Sequence, residues 1–148
     1  MEIKTKFGAV IFITFNDTLV GENLWGADFS HADFNGMNLS YVNLCESNLY
    51  SVNFCQADLS GADLLGANLC KSDLRGANLF GADLFCTNLI GANLSGANLC
   101  NVDLRGVDLR GAKLDNVIID RFTRISSTTK ISKKQLTYLL LIGLKYAN

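Results

Sequence analysis

Residues 57–69 read ADLSGADLLGANL, and the leucines at 59, 64 and 69 set a period of five that decides the fold. Followed outward in both directions, Leu or Phe recurs at every fifth position from Leu24 to Leu114, nineteen times without a slip. Each of these is taken as a centre. The residue before a centre is Asn or Asp everywhere except Lys113, and the residue two before it is small at most positions, Ala57, Ala62 and Ala67 among them.

Two regular backbones cannot use this period. On an α-helix five residues turn ~500°, so successive centres step ~140° around the axis and never form one stripe. On an unbroken strand side chains alternate with period two, and an odd spacing sends successive centres to opposite faces. What remains is a chain that bends once per repeat, with the centre and the small residue inside and the Asn or Asp between them outside. Glycine follows the same register, two after the centre, at ten of the 13 glycines from Gly26 to Gly111, where a corner needs a permissive φ. Gly21 extends that register back to Leu19.

The consensus A-(D/N)-L-x-x resembles the pentapeptide-repeat family from Leu19 to Ile119, and uninterrupted tracts of this kind look like its cyanobacterial members. The resemblance implies an all-β solenoid: a right-handed, quadrilateral β-helix of about five coils, four repeats to a coil, stacked at the ~4.8 Å strand spacing. Its core columns would run Leu24/Leu44/Leu64/Leu84/Leu104, Phe29/Leu49/Leu69/Leu89/Leu109, Phe34/Phe54/Leu74/Leu94/Leu114 and Leu39/Leu59/Leu79/Leu99/Ile119. A solenoid needs closed ends. Residues 1–18 break the register and are expected as an N-terminal strand cap, 19–120 as the β-helix, and 121–148 as a linker and a capping α-helix. Ser132 and Gln135 have capping-box spacing, which starts that helix at Ser132 and carries it through Leu136, Leu139, Leu140 and Leu144 to about Tyr146. Its apolar character nearly all round makes Tyr138, Leu141 and Ile142 candidate contacts to a second subunit.

Bulk properties narrow the function. A net charge of -1 and a pI near 5.7 argue against a partner bound by phosphate neutralisation. Five cysteines without CxxC spacing fit reduced thiols and a cytoplasmic location. The basic start, Lys4 and Lys6, leads into an apolar run from Phe7 to Phe15 that ends at Asn16 and Asp17 without an A-x-A site, so a strand is expected there rather than a signal peptide. It is too short for a membrane-spanning helix. No convergent acid-base or nucleophilic set is legible: His31, the one histidine, reads as a surface corner residue, and the cysteines read as outward positions on different sides. The expectation is no enzyme, no cofactor, no metal and no small-molecule substrate.

Function then has to be read from outward positions. On the first two sides these include Trp25, Leu65 and Phe85 beside Tyr50 and Ile90, an apolar stripe expected to be the interaction surface. Asp63, Asp83 and Asp103 form an outward acidic column; such side chains hydrogen-bond within and between coils, but stacked carboxylates repel and a basic partner would relieve them. The reading is a non-catalytic interaction or scaffold module binding a protein partner or a second copy. The alternative is a duplex-mimicking modulator of a topoisomerase, because residues 103–116, DLRGVDLRGAKLDN, look like the C-terminal repeats of quinolone-resistance proteins. Those relatives carry inserted loops, whereas here the register is unbroken and Lys71, Arg75, Arg105, Arg110 and Lys113 dilute the acid.

Overall fold

The computed structural model describes residues 2–13, 18–143 and 145–146, and its long ladders join each outward Asn or Asp from Asn23 to Asn98 to the residue twenty positions on. Asn23 pairs with Asn43, Asp28 with Asn48, Asp33 with Asn53 and Asn38 with Asp58, all parallel, and the series runs unbroken to Asn98 with Ile118. Twenty residues per revolution and five per bend make a coil of four sides, numbered here from the centres Leu24, Phe29, Phe34 and Leu39. Three hydrogen bonds in a regular repeat tie neighbouring coils: Leu44 N–H donates to the Asp63 carbonyl at 2.8 Å, Asp63 N–H to the Val42 carbonyl at 2.9 Å, and the corner Glu46 N–H to the Leu65 carbonyl at 2.8 Å.

Every corner residue, two after a centre, has a positive φ from Gly21 to Asn116. Eleven are glycines at 64° to 75°, and nine are other residues at 56° to 62°, none of them β-branched. The corner therefore imposes the left-handed conformation whatever the side chain, and Cβ crowding excludes only the residues that tolerate it least. Inside, the centres and the small residues two before them are buried, and Phe34 stacks on Phe54 with ring centroids 5.2 Å apart.

Both ends differ from the sequence expectation. At the start, β1 (Glu2–Lys4) and β2 (Val10–Ile13) form an antiparallel hairpin, not one strand over 7–15, because the chain turns between Thr5 and Ala9 with Gly8 at φ 87°; the part of that run at 14–17 lies outside the described residues. The hairpin lies on the first coil: Ile3 joins the core, Asp33 N–H donates to the Lys4 carbonyl at 2.8 Å, and Lys6 N–H to that of His31 at 2.9 Å.

At the other end the ladder does not stop at Ile119. Arg124 pairs with Asp103 and Lys130 with Asp108, so the coil continues with one and then two extra residues, and Ile125 is fully buried beyond Leu104. Ile119, expected to complete the fourth column, is only partly buried, because no described rung of side four lies beyond it. Side chains replace backbone acceptors where the register loosens: Asp120 Oδ1 accepts from Asn101 N–H at 3.0 Å, and Thr128 Oγ1 from Gly106 N–H at 3.1 Å. β3 (Arg124–Ile125) then pairs in parallel with β4 (Lys145–Tyr146), and α1 (Lys133–Leu141) lies between them in sequence.

Ser132 caps α1, its hydroxyl accepting from Gln135 N–H while the Gln135 side chain accepts from Ser132 N–H. The helix ends at Leu141, shorter than expected, since Gly143 takes a φ of 111° that a helix cannot continue; Leu144 lies outside the described residues. Gln135 Nε2 donates to both the Leu109 and Ala112 carbonyls at 2.8 Å, giving partners to two acceptors of the last coil, and the Tyr138 hydroxyl accepts from Asn116 N–H at 2.9 Å.

Candidate interaction surface

Each outward Asn or Asp is held the same way: its Oδ1 accepts the N–H two residues on, closing an Asx turn that aims the next side chain out of the coil. On side one these bonds run from Trp25 to Asn23 at 3.3 Å, Leu65 to Asp63 at 3.0 Å, Phe85 to Asp83 at 2.9 Å and Arg105 to Asp103 at 3.0 Å. Elsewhere the column also bonds between coils. On side two Asn48 donates to Asp28, Asn68 to Asn48 and Asn88 to Asn68, and on side four Asn78 donates to Asp58 and Asn98 to Asn78. Side one stacks Asp63, Asp83 and Asp103, and carboxylates have no proton to pass along such a chain.

Asp103 is relieved locally. The Arg105 guanidinium binds its carboxylate, with Nε at 2.8 Å from Oδ2, and holds its pKa below the usual range. Asp63, Asp83 and Glu46 have no ion-pair partner among the described residues. Gly81, Ala82, Asp83, Phe85, Asn101, Asp103 and Arg105 line an open groove of about 380 Å³ on this side.

The apolar stripe is less continuous than expected. Trp25 and Phe85 are 60% and 45% exposed, but Leu65, Tyr50 and Ile90 are half-buried. Cys45, between Trp25 and Leu65, holds an outward position but is buried; burial pushes its thiol pKa up, Asp63 and Glu46 add to that, and the Trp25 side chain acts the other way. Tyr50 is engaged by its neighbours: the His31 ring packs edge-on at 5.6 Å and Lys71 Nζ lies 5.7 Å from the ring centroid. His31 is therefore no free surface residue. It is half-buried beneath the hairpin, with Phe7 at 6.4 Å on its other face.

Two exposed aromatics of the regular coils lie outside the expected stripe. Tyr41 is 71% exposed at the corner between sides four and one, its ring lying over Gly61, and Phe80 is exposed on side four. Tyr41 is the one aromatic residue among the non-glycine corners other than His31, which was the available signal. Of the helix residues expected at a subunit contact, Tyr138 is partly buried against the coil, whereas Leu141 is 80% exposed and Ile142 is exposed beside it. Among the described residues no group of three or more His, Cys, Asp or Glu side chains is placed to hold a metal ion, and no helix is long and apolar enough to cross a membrane.

The electrostatics of sides two and three follow the Asp103–Arg105 pattern. Arg75 pairs with Asp73 and Arg110 with Asp108, each two residues on. Asp108 is the buried member: Arg110 Nη2 lies 2.7 Å and Lys130 Nζ 3.8 Å from its Oδ2, and the Arg110 side-chain hydrogen bonds first, with lesser help from Lys130, hold its pKa below the ordinary carboxylate value against the opposing effect of burial. A depressed folded-state pKa means that the stabilisation is complete above the unfolded value, about 3.9, and is lost as pH falls through the folded value. The stability gap between the native protein and Asp108→Asn is therefore expected to shrink as pH falls from about 5 to about 2, as measured by urea midpoints. A constant gap would show that Asp108 titrates alike in both states.

A family model described as pentapeptide repeats matches residues 23–49, 47–84 and 82–120, in eight copies. The chain belongs to the pentapeptide-repeat family. Solved members of this family form right-handed quadrilateral β-helices. The pentapeptide-repeat protein alr5209 from Nostoc PCC 7120 is 33% identical, over 74% of this chain and 84% of that one, with a TM-score of 0.54. Rfr23 from the cyanobacterium Cyanothece 51142 is 32% identical over 70% of this pentapeptide-repeat chain and 88% of its own, with a TM-score of 0.37. QnrB1, a plasmid-mediated fluoroquinolone resistance protein, shares the fold at 17% identity, over 84% and 89% of the two chains, with a TM-score of 0.55. No curated protein matches the chain.

Proposed function

We propose that this pentapeptide-repeat chain is a non-catalytic interaction module, a coil of about five turns closed by the N-terminal hairpin and by α1, that presents side one to another protein chain. The observation that carries the reading is the pairing of exposed Phe85 with the uncompensated carboxylate of Asp83 on a face laddered to its neighbouring coils from Asn23 to Asp103. A rigid ladder loses little conformational freedom on binding, and an exposed aromatic beside a charge supplies both area and orientation. Five free cysteines suit a reducing, cytoplasmic setting.

The topoisomerase alternative needs a surface that mimics a duplex in charge. Three of the outward aspartates, Asp73, Asp103 and Asp108, are neutralised by the arginine two residues on, and the ladder from Asn23 to Ile118 has no inserted loop, which weighs against it. The test of the leading reading is cross-linked capture from host lysate with the native chain and with Phe85→Asp, both verified as folded. A chain captured by the native protein and lost with Phe85→Asp is expected; identical capture by both would remove side one as the interaction surface.

A further inference from the structure

Charge is distributed along this chain in two blocks of opposite sign. On side one between residues 42 and 106 stand four carboxylates, Glu46, Asp63, Asp83 and Asp103, against one cation, Arg105. From 121 to 148 stand six cations and no acid. The second block is also apolar where it is exposed. Lys133, Lys134, Thr137, Leu140 and Leu141 are all exposed on α1, at the spacing that puts them on one helix face. Gln135, Leu136 and Leu139 face the coil instead, and the bonds from Gln135 to Leu109 and Ala112 hold the helix there. The outer face of α1 is thus presented away from its own coil, basic at its start and leucine-rich at its end.

We propose that side one receives the C-terminal end of a second copy of this chain, with Lys133 and Lys134 over the Asp63 and Asp83 carboxylates and Leu140 and Leu141 over Leu65 and Phe85. This rests on the reading of side one as an interaction surface and names its occupant. The dimensions agree. The aspartate and apolar columns stand two residues apart on each rung, about 7 Å, while Lys134 and Leu141 are seven residues apart on α1, about 10 Å along the axis. The difference is within reach of a lysine side chain. Asp63 and Asp83 gain the cations that no residue of their own side supplies, and Phe85 and Leu141 lose water together. The contact is heterologous, an end against a flank, so a pair leaves one molecule's flank and the other's end unused, and the assembly extends or closes into a ring.

Sedimentation velocity over a range of protein concentrations, at about 20 mM and about 500 mM salt, reads the assembly directly, since these bracket strong and weak screening. The full chain is compared with Asp63→Lys/Asp83→Lys and with Lys133→Glu/Lys134→Glu. The native chain is expected to associate with rising concentration, less at high salt. Each variant alone is expected to stay monomeric, and their equimolar mixture to associate again because the reversed flank matches the reversed end. Asp63→Asn/Asp83→Asn keeps the Oδ1 that closes each Asx turn, so its weakened association separates loss of charge from loss of fold. A native chain that stays monomeric at low salt, or a mixture that stays monomeric while both variants are folded, overturns the proposal. If the native chain is monomeric and yet captures a different protein in a Phe85-dependent way, the reading of side one stands and only its occupant changes.

Discussion

Phe54→Ala is expected to destabilise the protein by about 3–5 kcal/mol, measured by equilibrium unfolding in urea. Phe54 is fully buried and stacks on Phe34 with an interplanar angle of 13°, and Phe34 in turn meets Phe29 edge-on at 5.4 Å. Removing the ring takes away the transfer free energy of a large side chain and leaves a void in the middle of an aromatic cluster. In many cores the surroundings collapse and recover part of that loss. Here the coils above and below are held by ladder bonds of 2.8 Å, from Phe34 N–H to the Asn53 carbonyl and from Phe54 N–H to the Asp73 carbonyl, so their spacing cannot close. Phe54→Leu keeps an apolar side chain of the kind Leu74 and Leu94 already supply in this column, and is expected to lose less than about 1.5 kcal/mol. A loss below about 2 kcal/mol for alanine would show that the coil can collapse onto the void.

Gly96→Val is expected to destabilise the protein by about 1–3 kcal/mol. Gly96 has φ 73°, and a Cβ there would meet only the Gly76 backbone nitrogen at 3.9 Å, an ordinary contact. The loss therefore comes from forcing a β-branched residue into the left-handed region rather than from a clash. Gly96→Asn is the control, because Asn101 and Asn116 occupy the equivalent corner with φ 59° and 56°. Its melting temperature is expected close to that of the native protein, with valine several degrees lower. Equal effects of the two substitutions would place the cost in the glycine's space and not in its conformation.

These two sites show which parts of the molecule are written locally. Phe54 and Gly96 are recognised from the five-residue register alone, because burial and corner conformation recur with the same period as the sequence. The start of α1 is equally local, since Ser132 and Gln135 exchange bonds within one turn. The continuation of the coil past Ile119 is different. Arg124 and Lys130 join the ladder after one and two additional residues, and nothing in the spacing of 120–130 marks them until Asp103 and Asp108 are seen beside them. The end of α1 was hidden for a related reason, as Gly143 stops a helix whose apolar pattern runs on.

The surface divides in the same way. That Asp63, Asp83 and Asp103 share a column follows from counting in twenties, but that Asp103 is neutralised while Asp83 is not depends on where the Arg105 side chain turns. Likewise Trp25 and Cys45 hold equivalent outward positions, yet one is exposed and the other buried: Cys45 lies between occupied rungs, whereas among the described residues Asn23, beside the centre of the Trp25 repeat, is laddered only to Asn43. The sequence by itself determined the period, the corners and the alternation of inward and outward residues, since these depend on steric and hydrogen-bonding rules that act within five residues, while the four columns came from its resemblance to a known family. Only the tertiary structure decided where the coil ends, which outward side chains remain exposed and which carboxylates lack a cation, because each of those depends on residues brought alongside from twenty or more positions away.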